Sequence, residues 1–348
     1  MKLLAFSILI LSIISCQNKT EINSEEKQNE HPVQQADFTL VFASCNDQDR
    51  EQPLWAPIID SNPNLFIWGG DNIYADTEDM SKMEADYNKV WAEPEYKSLA
   101  EKTIITGTWD DHDFGKNDAG VEWEWKKAAQ VLFLDFLKVP EDDIRRKREG
   151  VYTSETHITE KGSIKVILLD TRSFRDSLKK SEDPNLRYDA WAEGEGGTIL
   201  GEAQWNWLEE ELKDDTTNFT LIVTSIQFLN SSHGWEKWGN HPSEVIKMKQ
   251  LLAGAKAKNI VMLSGDRHMA EISKAEIPGL TYPLVDFTSS GLTHTWIDGA
   301  TEGNPFRISN VIKQLNFGVL QFDFEKNEVT FEIRGENNFL FEQHVQEY

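Results

Sequence analysis

The sequence predicts an α/β protein in which two sheets pack as a sandwich flanked by helices. Three observations carry that prediction. Short, nearly pure apolar runs alternate with helical stretches over most of the chain, and such runs are what strands buried on both faces require. Toward the C-terminus strand-like runs follow one another with no helix between them. Polar clusters rich in Asp, His and Cys sit directly after the apolar runs, where the carboxyl ends of parallel strands present binding groups.

Taken in order, Phe38 to Ala43 and Leu65 to Trp68 are apolar runs that lead into Ser44-Cys45-Asn46 and Gly69-Gly70-Asp71. Residues 104–108 lead in the same way into Asp110-Asp111-His112-Asp113. Ile164 to Leu169 is a β run ending at Asp170-Thr171-Arg172. Glu202 to Leu212 carries Trp and Leu at helical spacing, and Phe219 to Val223 is a strand reaching Thr224-Ser225-Ile226-Gln227. Ser243 to Ala257 reads as a helix, and Ile260 to Leu263 as a strand that delivers Gly265-Asp266-Arg267-His268. Leu284 to Thr288, Phe317 to Phe324 and Glu328 to Arg334 alternate with turn residues and are expected to form antiparallel strands of a second sheet packed on the first.

The clusters hold Cys, Asp, Tyr and His, side chains that bind metals as anions or neutral imidazole. A pair of cations can share a bridging carboxylate, ionise a water near neutral pH and neutralise charge on a phosphoryl group. Hydrolysis of a phosphate ester without a protein nucleophile is the chemistry such a set would serve.

Cys45-Asn46, GDNIYAD (70–76), TWDDHDFGKND (108–118), LDTR (169–172) and SGDRH (264–268) together resemble the PhoD-type alkaline phosphatases and phosphodiesterases. These are metallophosphoesterases related to the purple acid phosphatases, and the resemblance runs from about Phe38 to about Arg334. It implies a metallophosphoesterase-like two-sheet sandwich and a ferric ion paired with calcium. The iron side then looks like Cys45, Asp71, Tyr74 and His268, since thiolate and phenolate favour high-valent iron. Asp71 would bridge. The calcium side looks like Asp71, Asp111 and Asp266, hard oxygen donors of the kind calcium takes, with other divalent metals open at that second position. Asp110 and Asp113 remain alternatives to Asp111, which is preferred because it precedes His112. Tyr74 has a plain alternative as a packed aromatic at a strand end, and Cys45 as an inert buried thiol.

His112 is the candidate general acid for the leaving-group oxygen, with a purely orienting role as its alternative. Arg267 is placed to brace phosphoryl oxygens, and Asn46 to donate to phosphate. His233, His241 and His294, near Trp235, Trp238 and Trp296, are candidates for a substrate mouth, although most of the twelve tryptophans should be core. Arg172 and Gln227 are candidates to support the ligands from behind.

The N-terminus points to export. Met1-Lys2 followed by the apolar Leu3 to Ile14 is too short to span a bilayer and reads as a signal segment over residues 1–15. Leu11 to Cys16 resembles a bacterial lipobox, which implies cleavage before Cys16 and a lipid on its thiol. Residues 16–36 read as a flexible spacer rich in Glu, Asn, Gln and Lys, and the catalytic domain as 37–348. With Cys16 so used, Cys45 is the other of the two cysteines and has no disulfide partner.

A formal net charge of −24 argues against nucleic acid or an anionic membrane surface as a standing partner, because both are polyanions. The expected partner is a phosphate ester substrate, and the expected state a monomer tethered outside the cytoplasm. Two competing functions stand beside a mono- or diesterase: a phosphodiesterase specialised for phospholipid headgroups or wall polymers, and a non-catalytic surface protein that captures phosphate compounds or glycans.

Overall fold

The computed structural model describes residues 36–348, apart from Asp215 and residues 298–300. The expected signal segment, the lipid-bearing Cys16 and the spacer up to Gln35 lie outside the described residues.

Fourteen strands are formed by the described residues. They are β1 (Phe38–Ala43), β2 (Leu65–Gly69), β3 (Ile104–Thr108), β4 (Thr153–Ile158), β5 (Ser163–Leu168), β6 (Lys179–Lys180) and β7 (Tyr188–Asp189), then β8 (Phe219–Val223), β9 (Ile260–Ser264), β10 (Ala270–Ala275), β11 (Leu284–Ser289), β12 (Phe317–Asp323), β13 (Glu328–Arg334) and β14 (Leu340–Glu347). One sheet runs β14-β13-β12-β1-β2-β3 and the other β10-β11-β9-β8-β5-β4, with β6 and β7 as a separate ribbon. Each large sheet has a parallel block, β1-β2-β3 in one and β5-β8-β9-β11 in the other, with antiparallel strands outside it.

The helices are α1 (Trp55–Asp60), α2 (Met80–Ala92), α3 (Pro94–Ala100), the four-residue α4 (Asp111–Phe114), α5 (Lys126–Phe136), α6 (Gly201–Glu211) and α7 (Pro242–Gly254). Alternation along each strand decides what they cover. Leu40, Phe42, Leu65 and Ile67 of the first sheet meet Val166, Leu168, Leu221, Val223, Val261 and Leu263 of the second, forming the interior of the sandwich. The intervening Val41, Phe66 and Trp68 pack against Trp55, Tyr87, Tyr96 and Phe133 of α1, α2, α3 and α5. Ile222, Ile260 and Met262 pack against Trp205, Leu208, Met248 and Leu252 of α6 and α7. Both faces of the central strands are dry, so their sequences are continuously apolar where a half-buried strand would alternate.

The expectation for the late strands needs correction. β12 and β13 do not form a second sheet: β12 pairs antiparallel with β1, Phe38 opposite Phe322, and β13 and β14 extend that first sheet. β11 belongs to the second sheet and runs parallel to β9. Alternation marks a strand but not its partner, and the β1–β12 pairing joins segments far apart in sequence.

Candidate metal centre and active site

The carboxyl ends of the two parallel blocks converge at one edge of the sandwich, where loops from both sheets hold one another. Asn46 N donates to Asp71 O at 2.8 Å and Gly265 N to Ser225 O at 3.0 Å, while Thr108 Oγ1 donates to Leu169 O at 2.6 Å. The approach is close: a Cβ on Gly70, whose φ is +101°, would lie 2.7 Å from the Asp110 Cβ. Four candidate ligands take left-handed backbone angles that L-residues seldom adopt: Cys45 (φ 61°), Asp71 (51°), Asp266 (67°) and His268 (51°). Backbone strain of this kind costs on the order of 1–3 kcal/mol per residue and gathers where function demands a geometry.

Asp71 lies at the centre. Its Oδ2 is 3.5 Å from Cys45 Sγ and accepts from the Tyr74 hydroxyl at 3.3 Å; that hydroxyl is also 3.3 Å from His268 Nε2. Among the described residues, donor atoms lie within 4.8 Å of one another in four groups: Cys45, Asp71 and His268; Asp71, Asp111 and His112; Asp71, Asp110 and Asp266; and Asp111, Asp118 and Glu236. Asp71 belongs to three of them.

The three acids of the Asp110–Asp113 loop, which sequence could not separate, have different surroundings. Asp113 spends both oxygens on structure: Oδ1 accepts from Asp110 N at 2.6 Å, and Oδ2 from the side-chain amide of Asn72 at 2.5 Å. Asp110 Oδ1 accepts from Arg172 Nε at 2.5 Å and Ser225 Oγ at 2.6 Å, while its buried Oδ2 has no partner. Asp111 Oδ2 accepts from Asp118 N at 2.6 Å and Asn117 Nδ2 at 2.8 Å, and its buried Oδ1 accepts no hydrogen bond, with His112 Nε2 4.0 Å away. Asp110 and Asp111 thus each keep one free oxygen in the cluster. A buried carboxylate oxygen left unsatisfied is costly unless a cation takes it.

Electrostatics point the same way. Burial, reinforced by Asp110, Asp111 and Asp113, pushes the Asp71 carboxyl well above its usual range, and burial with Asp71 and Asp266 does the same to the Cys45 thiol. Burial, with His294 and His112, lowers His268 to about 3, leaving the neutral imidazole that a metal needs. Crowded anionic groups that resist ionising alone are what bound cations relieve. The thiol, phenol, imidazole and carboxylates therefore fit a pair of metal ions: Cys45, Asp71, Tyr74 and His268 on one side, Asp71, Asp110, Asp111 and Asp266 on the other.

His112 sits beside this cluster. Its Nδ1 is 2.6 Å from Asp76 Oδ2, its Nε2 is 4.0 Å from Asp111 Oδ1, and its ring packs 4.1 Å from that of Tyr74. Burial opposes its protonation, but Asp111, Asp71 and Asp76 carry it up to about 11. Cations on those carboxylates would cancel part of that field.

Arg267 lines the cleft, its Nη2 donating to Glu302 at 2.9 Å and its buried Nε without a partner. Asn46 is buried, and its Nδ2 donates to Asn72 O at 3.0 Å, which braces the loop that carries Asp71. Trp235 and Trp296 stand at the mouth, with Trp296 stacked on His268 at 5.3 Å. His294 packs on His268, whereas His233, Trp238 and His241 are buried away from solvent. Gln227 binds Glu271 and Thr288 rather than any ligand.

Arg172 is fully buried between Asp110 and Glu236, and Arg175 also pairs with Glu236 at 2.8 Å. Sequence reasoning missed Glu236, Asp76, Asn117, Asp118 and Arg187. Asp76 and Asp118 stand inside the quoted motifs. Glu236, a lone acid between two tryptophans, gives no local signal.

Metal-dependent hydrolases of phosphate esters are the class that this donor set and fold serve. The sequence matches the PhoD-like phosphatase family over residues 40–330, and the chain belongs to that family. It is a phosphoesterase of the metallophosphoesterase type, with the expected two-sheet fold. The fold is similar to that of PhoD, with a TM-score of 0.67 and 17% identity, covering 89% of this chain and 68% of that one. It is also similar to a dimetal phosphatase from Danio rerio, with a TM-score of 0.54 and 13% identity, covering 90% of this chain and 99% of that one. No curated protein matches the sequence.

Proposed function

We propose that the chain is an extracytoplasmic, lipid-anchored hydrolase of phosphate mono- and diesters, with Fe(III) held by Cys45, Asp71, Tyr74 and His268 and Ca2+ by Asp71, Asp110, Asp111 and Asp266. The observation that carries the reading is the membership of Asp71 in three of the four donor groups, the position a bridging carboxylate must hold. When bound, the two ions supply Lewis acidity that ionises a water and offsets charge on the phosphoryl group.

The protein groups then divide the remaining work. Asp76 fixes the His112 ring through Nδ1, leaving Nε2 to give a proton to the departing oxygen. Arg267 offers a guanidinium at the wall of the cleft, held in place by Glu302, for the phosphoryl oxygens. Arg172 pairs with Asp110 from behind, and together with Arg175 it holds Glu236, so that two buried arginines fix the inner wall of the site.

Purified protein should hydrolyse nitrophenyl phosphate and bis-nitrophenyl phosphate, and lose both activities on removal of its metals. Capture of phosphate without turnover of either ester would favour the binding-protein alternative. Among the described residues no helix is long and apolar enough to cross a membrane. In this reading, membrane attachment comes from the lipobox-like Leu11 to Cys16. Wild-type protein should partition into detergent, and Cys16→Ser should not; equal partitioning would refute the anchor.

A further inference from the structure

The space beside the metal centre is small, a cleft of about 70 Å3 lined by Asp111, His112, Asp118, Asp266 and His268. Pockets that enclose a whole small ligand run to roughly 300–1,000 Å3. A phosphoryl group enters such a cleft, but the rest of an ester must lie outside it, against the mouth. The mouth therefore decides which esters are preferred.

Two arginines line the cleft, Arg187 and Arg267. Arg267 is buried and held by Glu302, which assigns it to the inside. Arg187 is at the outside, with its side chain 41% exposed. The β6–β7 ribbon, which stands apart from both sheets, brings it there, and the backbone N–H groups of Arg187 and Tyr188 both donate to Gly234 O at 2.9 Å. Its guanidinium pairs with Asp118 through Nη2 and lies 5.9 Å from the centre of the Trp235 ring. A guanidinium carries five N–H donors in a fixed fork, so a pairing through one nitrogen leaves donors for a second anion.

The charges around it sharpen the point. Asp111, Asp118, Glu236 and Asp266 line the same cleft, and the whole chain carries a formal charge of −24. A substrate with a second anionic group meets repulsion across most of this surface and attraction at Arg187.

We propose that Arg187 is a specificity-determining residue that seats a second phosphate on the leaving-group side, so that the preferred substrates are bisphosphates over monophosphates of the same alcohol. This rests on the reading of the cleft as a phosphoester site. The test compares kcat/KM for propane-1,3-diol bisphosphate and its monophosphate, both primary alkyl esters whose leaving alkoxides differ only in the remote phosphate. Wild-type protein should prefer the bisphosphate, and Arg187→Gln should reduce the preference by about tenfold or more, mainly through KM, as expected for loss of a charge-assisted hydrogen bond. Arg187→Lys should retain part of it. In the wild-type protein, raising ionic strength should raise KM for the bisphosphate more than for the monophosphate.

Loss of Arg187 also bares the Asp118 charge, which repels the bisphosphate more than the monophosphate, so Asp118→Asn in the Arg187→Gln background separates the two effects: the preference should stay lost there, and its return would overturn the role of Arg187. A wild-type protein without the preference, or a ratio unchanged in Arg187→Gln, overturns the role of Arg187 and leaves phosphoester hydrolysis standing. Hydrolysis of neither ester by wild-type protein overturns both.

Discussion

Asp71→Asn is expected to lose metal and activity together, for every substrate. Asp71 meets the Cys45–His268 side and the Asp110–Asp266 side at once, so a neutral amide there weakens both halves. The charge stabilisation that metal ions give a phosphoryl transition state is several kcal/mol, and its loss corresponds to on the order of a 10³-fold fall in kcat/KM. The backbone should not object, because Asn tolerates the left-handed angle of 51° that Asp71 adopts better than most residues. Burial and the neighbouring acids already disfavour the charged form of Asp71 without metal, so a neutral amide there should leave the metal-free variant at least as resistant to heat as metal-free wild type. An early-melting variant would mean that the loss came from misfolding, and full metal content with full activity would mean that Asp71 bridges nothing.

His112→Ala is expected to behave differently. His112 adjoins Asp71 and Asp111, but its Nδ1 is taken by Asp76 and its ring packs on Tyr74; as a proton donor and not a ligand, its loss should leave the metals in place. Loss of a positioned general acid costs roughly 10²–10⁴-fold on an alkyl ester. A nitrophenyl ester should lose far less, since its leaving group is already stable as an anion. Metal content and both rates decide the matter. Loss of metal, or equal loss on the two esters, would make His112 a ligand or an orienting group.

Much of the fold can be read from local sequence, for a physical reason. β1, β2, β5, β8 and β9 are buried on both faces, so each is a short apolar run that stops where polar residues begin. The same burial makes the polar residues at their ends conspicuous, which is why Cys45, Asp71, Asp266 and His268 can be picked out. Partners cannot be read in this way. The pairing of β12 with β1, and of β11 with β9, depends on contacts between distant segments, and the apolar run in Phe317–Asp323 marks a buried strand, with Phe317 and Val319 in one core and Leu320 and Phe322 in the other, without naming its neighbour.

The candidate site divides along the same line. Asp110, Asp111 and Asp113 are equivalent in a one-dimensional reading. Only their surroundings separate them: Asn72 and the Asp110 amide consume Asp113, whereas Asp110 and Asp111 each retain an oxygen. Asn46, expected from sequence as a phosphate donor, is buried with its Nδ2 tied to the Asn72 carbonyl, a partner far away in sequence. Glu236 and Arg187 reach the cleft from irregular segments, Arg187 directly before the two-residue β7, where periodicity has nothing to reveal.

Metal analysis of purified wild-type protein, taken with its visible spectrum, tests the central claim most directly. The account predicts two ions per chain, one of them iron, and an absorption band from charge transfer of the Tyr74 phenolate and Cys45 thiolate to Fe(III). A colourless, fully active protein that carries a single ion, zinc alone or no metal would contradict it.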